Sequence, residues 1–124
     1  YEEADWCLRA RNAGWRIQYI PSARLWHKVS AAMGTASPAT EYYMSRNALL
    51  FVAKSYRGPR RLYYLGTAAG RSLSAAAAYT LKPHSGQRRA NRNARLLALR
   101  DAILGRWGKM GPDVARVCHG QRKL

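Results

Sequence analysis

Proline-containing breaks divide the chain after residue 37 into three long segments that favour helix. Proline fixes its own φ and lacks an amide hydrogen, so it is tolerated in the first helical turn and interrupts a helix elsewhere. Ser37 precedes Pro38 as a helix N-cap residue would, and Gly58-Pro59 separates the first segment from the second. The breaks predict helices over residues 38–56, 59–80 and 87–106, followed by a loosely ordered tail over 108–124 with one turn at most.

The residues before Pro38 have a different pattern. Residues 2–13 predict a helix that is acidic at its start and ends at Gly14. Residues 15–20 alternate apolar and polar side chains, which predicts a strand, and residues 24–27 predict a second short extended segment. The order predicts an α/β part over 1–37 followed by a mostly α-helical extension over 38–124. Because no βαβ unit is complete, a self-standing α/β domain is not expected.

The chain is strongly basic, with 22 Lys and Arg against 6 Asp and Glu and a net charge of +16. Such a balance predicts attraction to nucleic acid, anionic lipid headgroups or phosphorylated substrates, without choosing among them. The two cysteines, Cys7 and Cys118, are far apart and form no C-x-x-C motif. This favours reduced thiols in a cytoplasmic protein over a zinc or redox site.

Three carboxylates crowd the start of the first predicted helix: Glu2, Glu3 and Asp5. One interpretation is that they interact with the helix dipole, at about 0.3–1 kcal/mol each. The other is that one of them is a general base that takes a proton from a hydroxyl group. His27 has the same two interpretations, as a packed or exposed histidine or as a metal ligand.

Three motifs, in order, resemble family 2 glycosyltransferases. Residues 2–15 resemble a segment of that family that reads roughly E-D-x-D-x-x-x-R-x-x-x-x-G-W/Y. Residues 17–27 continue with a proline-containing turn and end in Trp-His, as the family does. Residues 42–50 resemble the Y-Y-x-x-R-N helix of its rhamnosyltransferase-like branch. The motifs cover about residues 1–52.

The resemblance implies the end of a GT-A-type nucleotide-sugar transferase domain with a helical extension. It implies inverting transfer of a sugar from a nucleoside-diphosphate sugar to a hydroxyl of a glycan or a lipid-linked saccharide. Glu3 stands at the family's catalytic aspartate and would be the general base, with Glu2 as the fallback. Glu is one methylene longer than Asp, which shifts the carboxylate unless the backbone compensates.

The remaining site residues follow from the same resemblance. Asp5, Arg9 and Trp26 would orient the helix or the substrate, and His27 would complete a site for Mn²⁺ or Mg²⁺. The family's D-x-D motif and its nucleotide-binding strands do not occur in the 124 residues. The chain, which begins at Tyr1 beside the first motif, is therefore expected to be the C-terminal part of a longer transferase and inactive alone.

Residues 62–81 are mostly apolar or small, but Arg71 lies in their middle. A central arginine costs roughly 2.5–3.5 kcal/mol in a membrane span, so a buried or interfacial helix is predicted instead. Tyr63, Tyr64 and Tyr79 could flank a membrane surface while nearby arginines face anionic headgroups, which would place the protein peripherally at the inner face of the cell membrane. A solvated basic helix packed on the catalytic domain is the alternative.

A binding module without catalysis is the competing hypothesis. Eight tyrosines and four tryptophans in a basic chain could bind nucleic acid through phosphate contacts and stacking. No nucleic-acid-binding motif is recognisable, and the acids at residues 2–5 would have no role there. The alternative to a transferase is thus a module that binds a membrane surface or, less in keeping with these acids, nucleic acid.

Overall fold

The chain forms five helices in a computed structural model of the protein, which describes residues 1–26, 36–81 and 86–120. Helices α2, α3 and α4 pack on one another, α5 packs on α2 and α4, and α1 contacts only α2 among these elements. In chain order the helices are α1 (Glu2–Asn12), α2 (Pro38–Ser55), α3 (Gly58–Leu81), α4 (Gly86–Ile103) and α5 (Pro112–His119).

The helices predicted from the proline breaks are confirmed. Pro38 occupies the first turn of α2, and the Ser37 side chain accepts a hydrogen bond from the Thr40 backbone N–H at 3.2 Å. The end of α1 is also confirmed: Gly14 has φ +87° and donates to the Arg11 carbonyl, while the Trp15 N–H donates to the Ala10 carbonyl. This pair of bonds is the Schellman motif, which glycine favours because its φ can be positive.

The predicted α/β fold is wrong: the protein is a small all-helical domain, with no strand in the residues that the structure describes. The predicted strand over 15–20 has every side chain exposed, and no neighbouring strand pairs with it. Alternation predicts a strand only where one face is buried against a partner. The division at residue 37 stays a prediction.

The predicted loose tail is wrong over residues 112–119, which form α5. Gly105, with φ +65°, ends α4 in a second Schellman motif and turns the chain back. Val114 is then fully buried against Tyr42, Ala94 and Ala98. An eight-residue helix is marginal in isolation, so its formation depends on this packing rather than on local sequence.

A buried polar network joins α2 to α4 and to the loop before α5. The Tyr42 hydroxyl donates to Asp101 Oδ2 at 2.7 Å and accepts from Arg46 Nη1 at 3.0 Å. Arg46, only 3% exposed, also donates to the carbonyl oxygens of Arg106 at 3.3 Å and Gly108 at 2.6 Å. Burial, with the hydrogen bond to Asp101, raises the pKa of Tyr42 to about 12, so its hydroxyl keeps the donated proton.

No helix among the described residues combines the length and the apolar character that crossing a membrane requires.

Replacing Arg46 should destabilise the fold. Arg46→Met removes a buried charge-assisted bond and leaves carbonyl groups of the α4–α5 loop unpaired, so we expect the free energy of unfolding to fall by about 2–4 kcal/mol. Arg60→Met, the same change at an exposed position on α3, should alter it by less than about 0.5 kcal/mol. Urea denaturation followed by circular dichroism measures both. Equal small losses would contradict the structural role of Arg46.

Candidate functional site

Helix α1 presents the three predicted acids in its first turn. Glu2 and Glu3 are exposed, whereas the Asp5 side chain is 24% exposed and faces α2. No side chain caps this helix start, so its backbone N–H groups and its dipole favour anionic groups nearby. The structure thus keeps the acids together at one end of α1.

A cleft of about 190 Å³ lies between α1 and α2 beside these acids. Glu2 and Asp5 line it, whereas Glu3 is not among its lining residues. The Tyr1 ring stacks on Phe51 with ring centroids 5.9 Å apart and forms part of the wall. The remaining lining residues come from α2: Asn47, Leu50, Phe51 and Lys54.

Two cations engage Asp5. Lys54 Nζ lies 3.0 Å from Asp5 Oδ1, and Arg9 Nε donates to Asp5 Oδ2 at 3.0 Å, as the four-residue spacing predicts. The Lys54 contact first, and then that of Arg9, hold the pKa of Asp5 below its usual value. A carboxylate stabilised in this way is a weak proton acceptor, so Asp5 is suited to holding α1 on α2.

Glu3 is the one acid with no partner among the residues that the structure describes. Glu2 pairs with the Tyr1 ammonium at 2.9 Å, and this contact lowers the pKa of Glu2. The other four acids, apart from Glu3, each pair with a lysine or arginine. Within residues 1–26, 36–81 and 86–120, Glu3 forms no hydrogen bond or ion pair. Glu3 is therefore available to a ligand, and so is Glu2 wherever a peptide bond replaces the Tyr1 ammonium.

The segment that follows α1 exposes large apolar side chains. Trp26, predicted to orient a substrate, is 86% exposed and does not reach the α1–α2 cleft. A second cleft, of about 750 Å³, runs along this segment between Trp6 and Trp15. The exposed apolar side chains of the segment are Trp15, Ile17, Tyr19, Ile20, Leu25 and Trp26, and Trp6 of α1 is exposed as well. Clustered exposed apolar groups of this kind mark surfaces that bind another molecule.

The described residues do not by themselves fit a divalent metal. His27, the predicted ligand, lies outside them. Both oxygens of Asp5 are engaged by cations, and no three His, Cys, Asp or Glu side chains in the described ranges lie close enough to share an ion. The predicted Mn²⁺ or Mg²⁺ therefore stays a prediction, and no chemical step is assigned to it here.

The sequence reasoning missed the α2 wall of the cleft. Asn47, Phe51 and Lys54 follow at four- and three-residue intervals, so they share one face of α2. Asn47 is the last residue of the Y-Y-x-x-R-N motif, whose Tyr42 and Arg46 instead lie in the buried network. The helical spacing could have identified the shared face, but not that α1 covers it.

Comparison with known proteins leaves the function open, because no protein-family model, no curated protein and no solved structure matches the chain. A function must therefore be proposed from the residues, their geometry and the resemblance of the motifs.

Removing the Lys54 charge should raise the pKa of Asp5. The pKa of Asp5 is lower in the folded state than its ordinary value of 3.8. The stabilisation of α1 by the Asp5 contacts is therefore fully present at pH values above 3.8, and it is lost as the pH falls through the lowered pKa. Lys54→Met should return the pKa of Asp5 most of the way to its ordinary value, and Arg9→Met should raise it less. Lys109→Met, which removes a charge elsewhere, should leave the pKa of Asp5 unchanged. Carboxyl ¹³C chemical shifts followed against pH measure this. A larger effect from Arg9→Met than from Lys54→Met would contradict the assignment.

Proposed function

We propose that this chain is the C-terminal part of an inverting glycosyltransferase that moves a sugar from a nucleoside diphosphate to a hydroxyl of a glycan or lipid-linked saccharide. The observation that carries the proposal is the carboxylate of Glu3, which is exposed at the start of α1 and forms no hydrogen bond or ion pair among the described residues. It stands where the resemblance to family 2 glycosyltransferases puts the general base.

The three acids of α1 have different roles in this proposal. Glu3 takes the proton from the acceptor hydroxyl, whose oxygen attacks the sugar carbon from the face opposite the leaving diphosphate. The transition state resembles an oxocarbenium ion. Asp5, held by Lys54 and Arg9, fixes the position of α1, which keeps Glu3 in place. Glu2, at the edge of the α1–α2 cleft, is the alternative base.

The exposed apolar segment supports a larger protein around this site. Trp15 and Trp26 are 73% and 86% exposed, and all residues from 11 to 26 are exposed. In the same structure, buried side chains of α2, α4 and α5 form a core. Burial of exposed apolar side chains is favourable by roughly 25 cal/mol for each Å² of apolar surface removed from water. We propose that the nucleotide-binding part of the transferase covers them.

Replacing Glu3 should abolish transfer. In a protein that joins this chain to its nucleotide-binding part, Glu3→Gln should lower the release of nucleoside diphosphate from the preferred sugar nucleotide at least about a hundredfold, the scale of general-base loss. Glu2→Gln is the matched control and should retain most activity. The assay is run over a panel of sugar nucleotides with Mn²⁺, Mg²⁺ or chelator. A loss confined to Glu2→Gln would move the base to Glu2; no turnover of any donor would contradict the transferase.

A membrane surface is a second candidate partner, favoured by the outer face of α3. Leu62 and Leu73 are exposed and lie three helical turns apart, so they share a face. Arg60 and Arg61, in the first turn of α3 next to Leu62, are exposed as well. An amphipathic surface with leucines and arginines suits the interface of a bilayer that contains anionic lipid.

Carboxylates in place of Leu62 and Leu73 should prevent binding to a membrane surface. Leu62→Glu combined with Leu73→Glu should abolish co-sedimentation with phosphatidylglycerol-containing vesicles, because both charges would enter the apolar boundary. Leu96→Glu, at an exposed leucine of α4, should leave it unchanged. Binding that survives the double substitution but disappears in high salt would show general attraction by the net charge, and would leave nucleic acid as the better partner.

A further inference from the structure

A third cleft, which Tyr1 also lines, lies between α2, α3 and α4. Its volume is about 340 Å³, within the roughly 300–1,000 Å³ of small-ligand sites. Its polar lining consists of two arginines and two serines: Arg71 and Ser72 from α3, Ser45 from α2 and Arg95 from α4. Met44 and three alanines form the apolar part of the wall.

Only one of the two arginines of this cleft has an acidic partner among the described residues. No acidic side chain lines it. Arg71 is exposed and has no ion-pair partner in the described ranges. Arg95 pairs with Glu41 and donates to Ser45 Oγ at 3.4 Å, yet its Nε is buried with no hydrogen-bond partner among the described residues. The charge in the cleft that no acid offsets is therefore that of Arg71, an exposed residue.

The hydroxyl groups have the complementary chemistry. Ser45 and Ser72 are 6% and 3% exposed, and both line the cleft, where a hydroxyl can donate to an anionic oxygen. Guanidinium groups bind phosphate oxygens through a planar fork, and such charge-assisted bonds are roughly twice as strong as neutral ones.

We infer that the cleft formed by Ser45, Arg71, Ser72 and Arg95 binds the phosphoryl group of a phosphorylated ligand. The methionine and alanines leave an apolar wall beside the phosphoryl group for the rest of that ligand. The ligand could be a nucleoside diphosphate, an isoprenyl diphosphate or free diphosphate, which share this chemistry. Binding does not depend on the proposed transfer, although Tyr1 lines both clefts and places this one beside the acids of α1.

The test is binding of phosphorylated probes to the 124-residue chain in about 150 mM salt, where general attraction is screened beyond a Debye length of about 8 Å. Isothermal titration calorimetry is run with inorganic diphosphate, uridine diphosphate and geranyl diphosphate. We expect saturable one-site binding of at least one probe. Arg71→Ala should weaken it about tenfold to a hundredfold, as for a lost charge-assisted bond. Arg60→Ala, at an exposed arginine of the same helix outside the cleft, should not.

Two further variants separate site loss from unfolding. Arg71→Lys keeps the positive charge but loses the planar guanidinium group, so this variant should bind the phosphorylated probes with intermediate affinity. Ser72→Ala should weaken binding while the circular dichroism spectrum stays that of the parent. The rank of the three probes identifies the source of the phosphoryl group. Absence of saturable binding to the parent chain, or equal losses in Arg71→Ala and Arg60→Ala, would overturn the inference. Because no turnover is measured, this outcome is independent of the transferase assay.

Discussion

The buried guanidinium of Arg46 is the constraint on which the arrangement of the helices depends. A buried charge is costly unless it is paired and fully hydrogen-bonded. Arg46 meets this requirement with the Tyr42 hydroxyl, which in turn donates to Asp101, and with two carbonyl groups of the loop after α4. Its guanidinium also lies over the rings of Tyr42 and Tyr43, about 5 Å from each centroid. These partners lie on α2, on α4 and on the loop after α4, so the network holds these three parts of the chain together.

Apolar burial alone would specify this packing weakly, because the core is small. Ala94 and Ala98 lie one turn apart on α4 and allow α2 to approach closely, while Tyr42 and Val114 supply the largest fully buried side chains. The scarce acids add directed contacts in a chain of net charge +16. Glu41 pairs with Arg95 between α2 and α4, Asp113 with Arg100 between α5 and α4, and Asp5 with Lys54 between α1 and α2. Each interhelical acid offsets local repulsion among the bases, and this use of the acids leaves Glu3 unpaired.

The two clefts and the exposed apolar segment all lie outside that network. Tyr1 separates a cleft that is bordered by carboxylates from one that is bordered by arginines, so opposite charges lie close together near the start of α1. Glu3, the base proposed for the transferase, lies beside Glu2 at the start of α1 but lines neither cleft. The tryptophans from Trp6 to Trp26 are exposed and line neither of these two clefts. The transferase stays a proposal that rests on the resemblance of the motifs and on the unpaired carboxylate of Glu3.

The sequence by itself determined the helix boundaries, because these depend on neighbouring residues: Ser37 and Pro38 begin α2, and Gly14 ends α1. It also pointed to the acids of α1 and to the Asp5–Arg9 pair, which one helical turn brings together. Only the tertiary structure decided that residues 15–20 form no strand, since a strand needs a partner that alternation cannot supply. The same holds for α5, for the partners of Arg46 and for the arginine-lined cleft, whose residues are brought together from distant parts of the chain by packing. Local patterns indicate where a helix begins and ends, but contacts between distant residues decide which side chains come together.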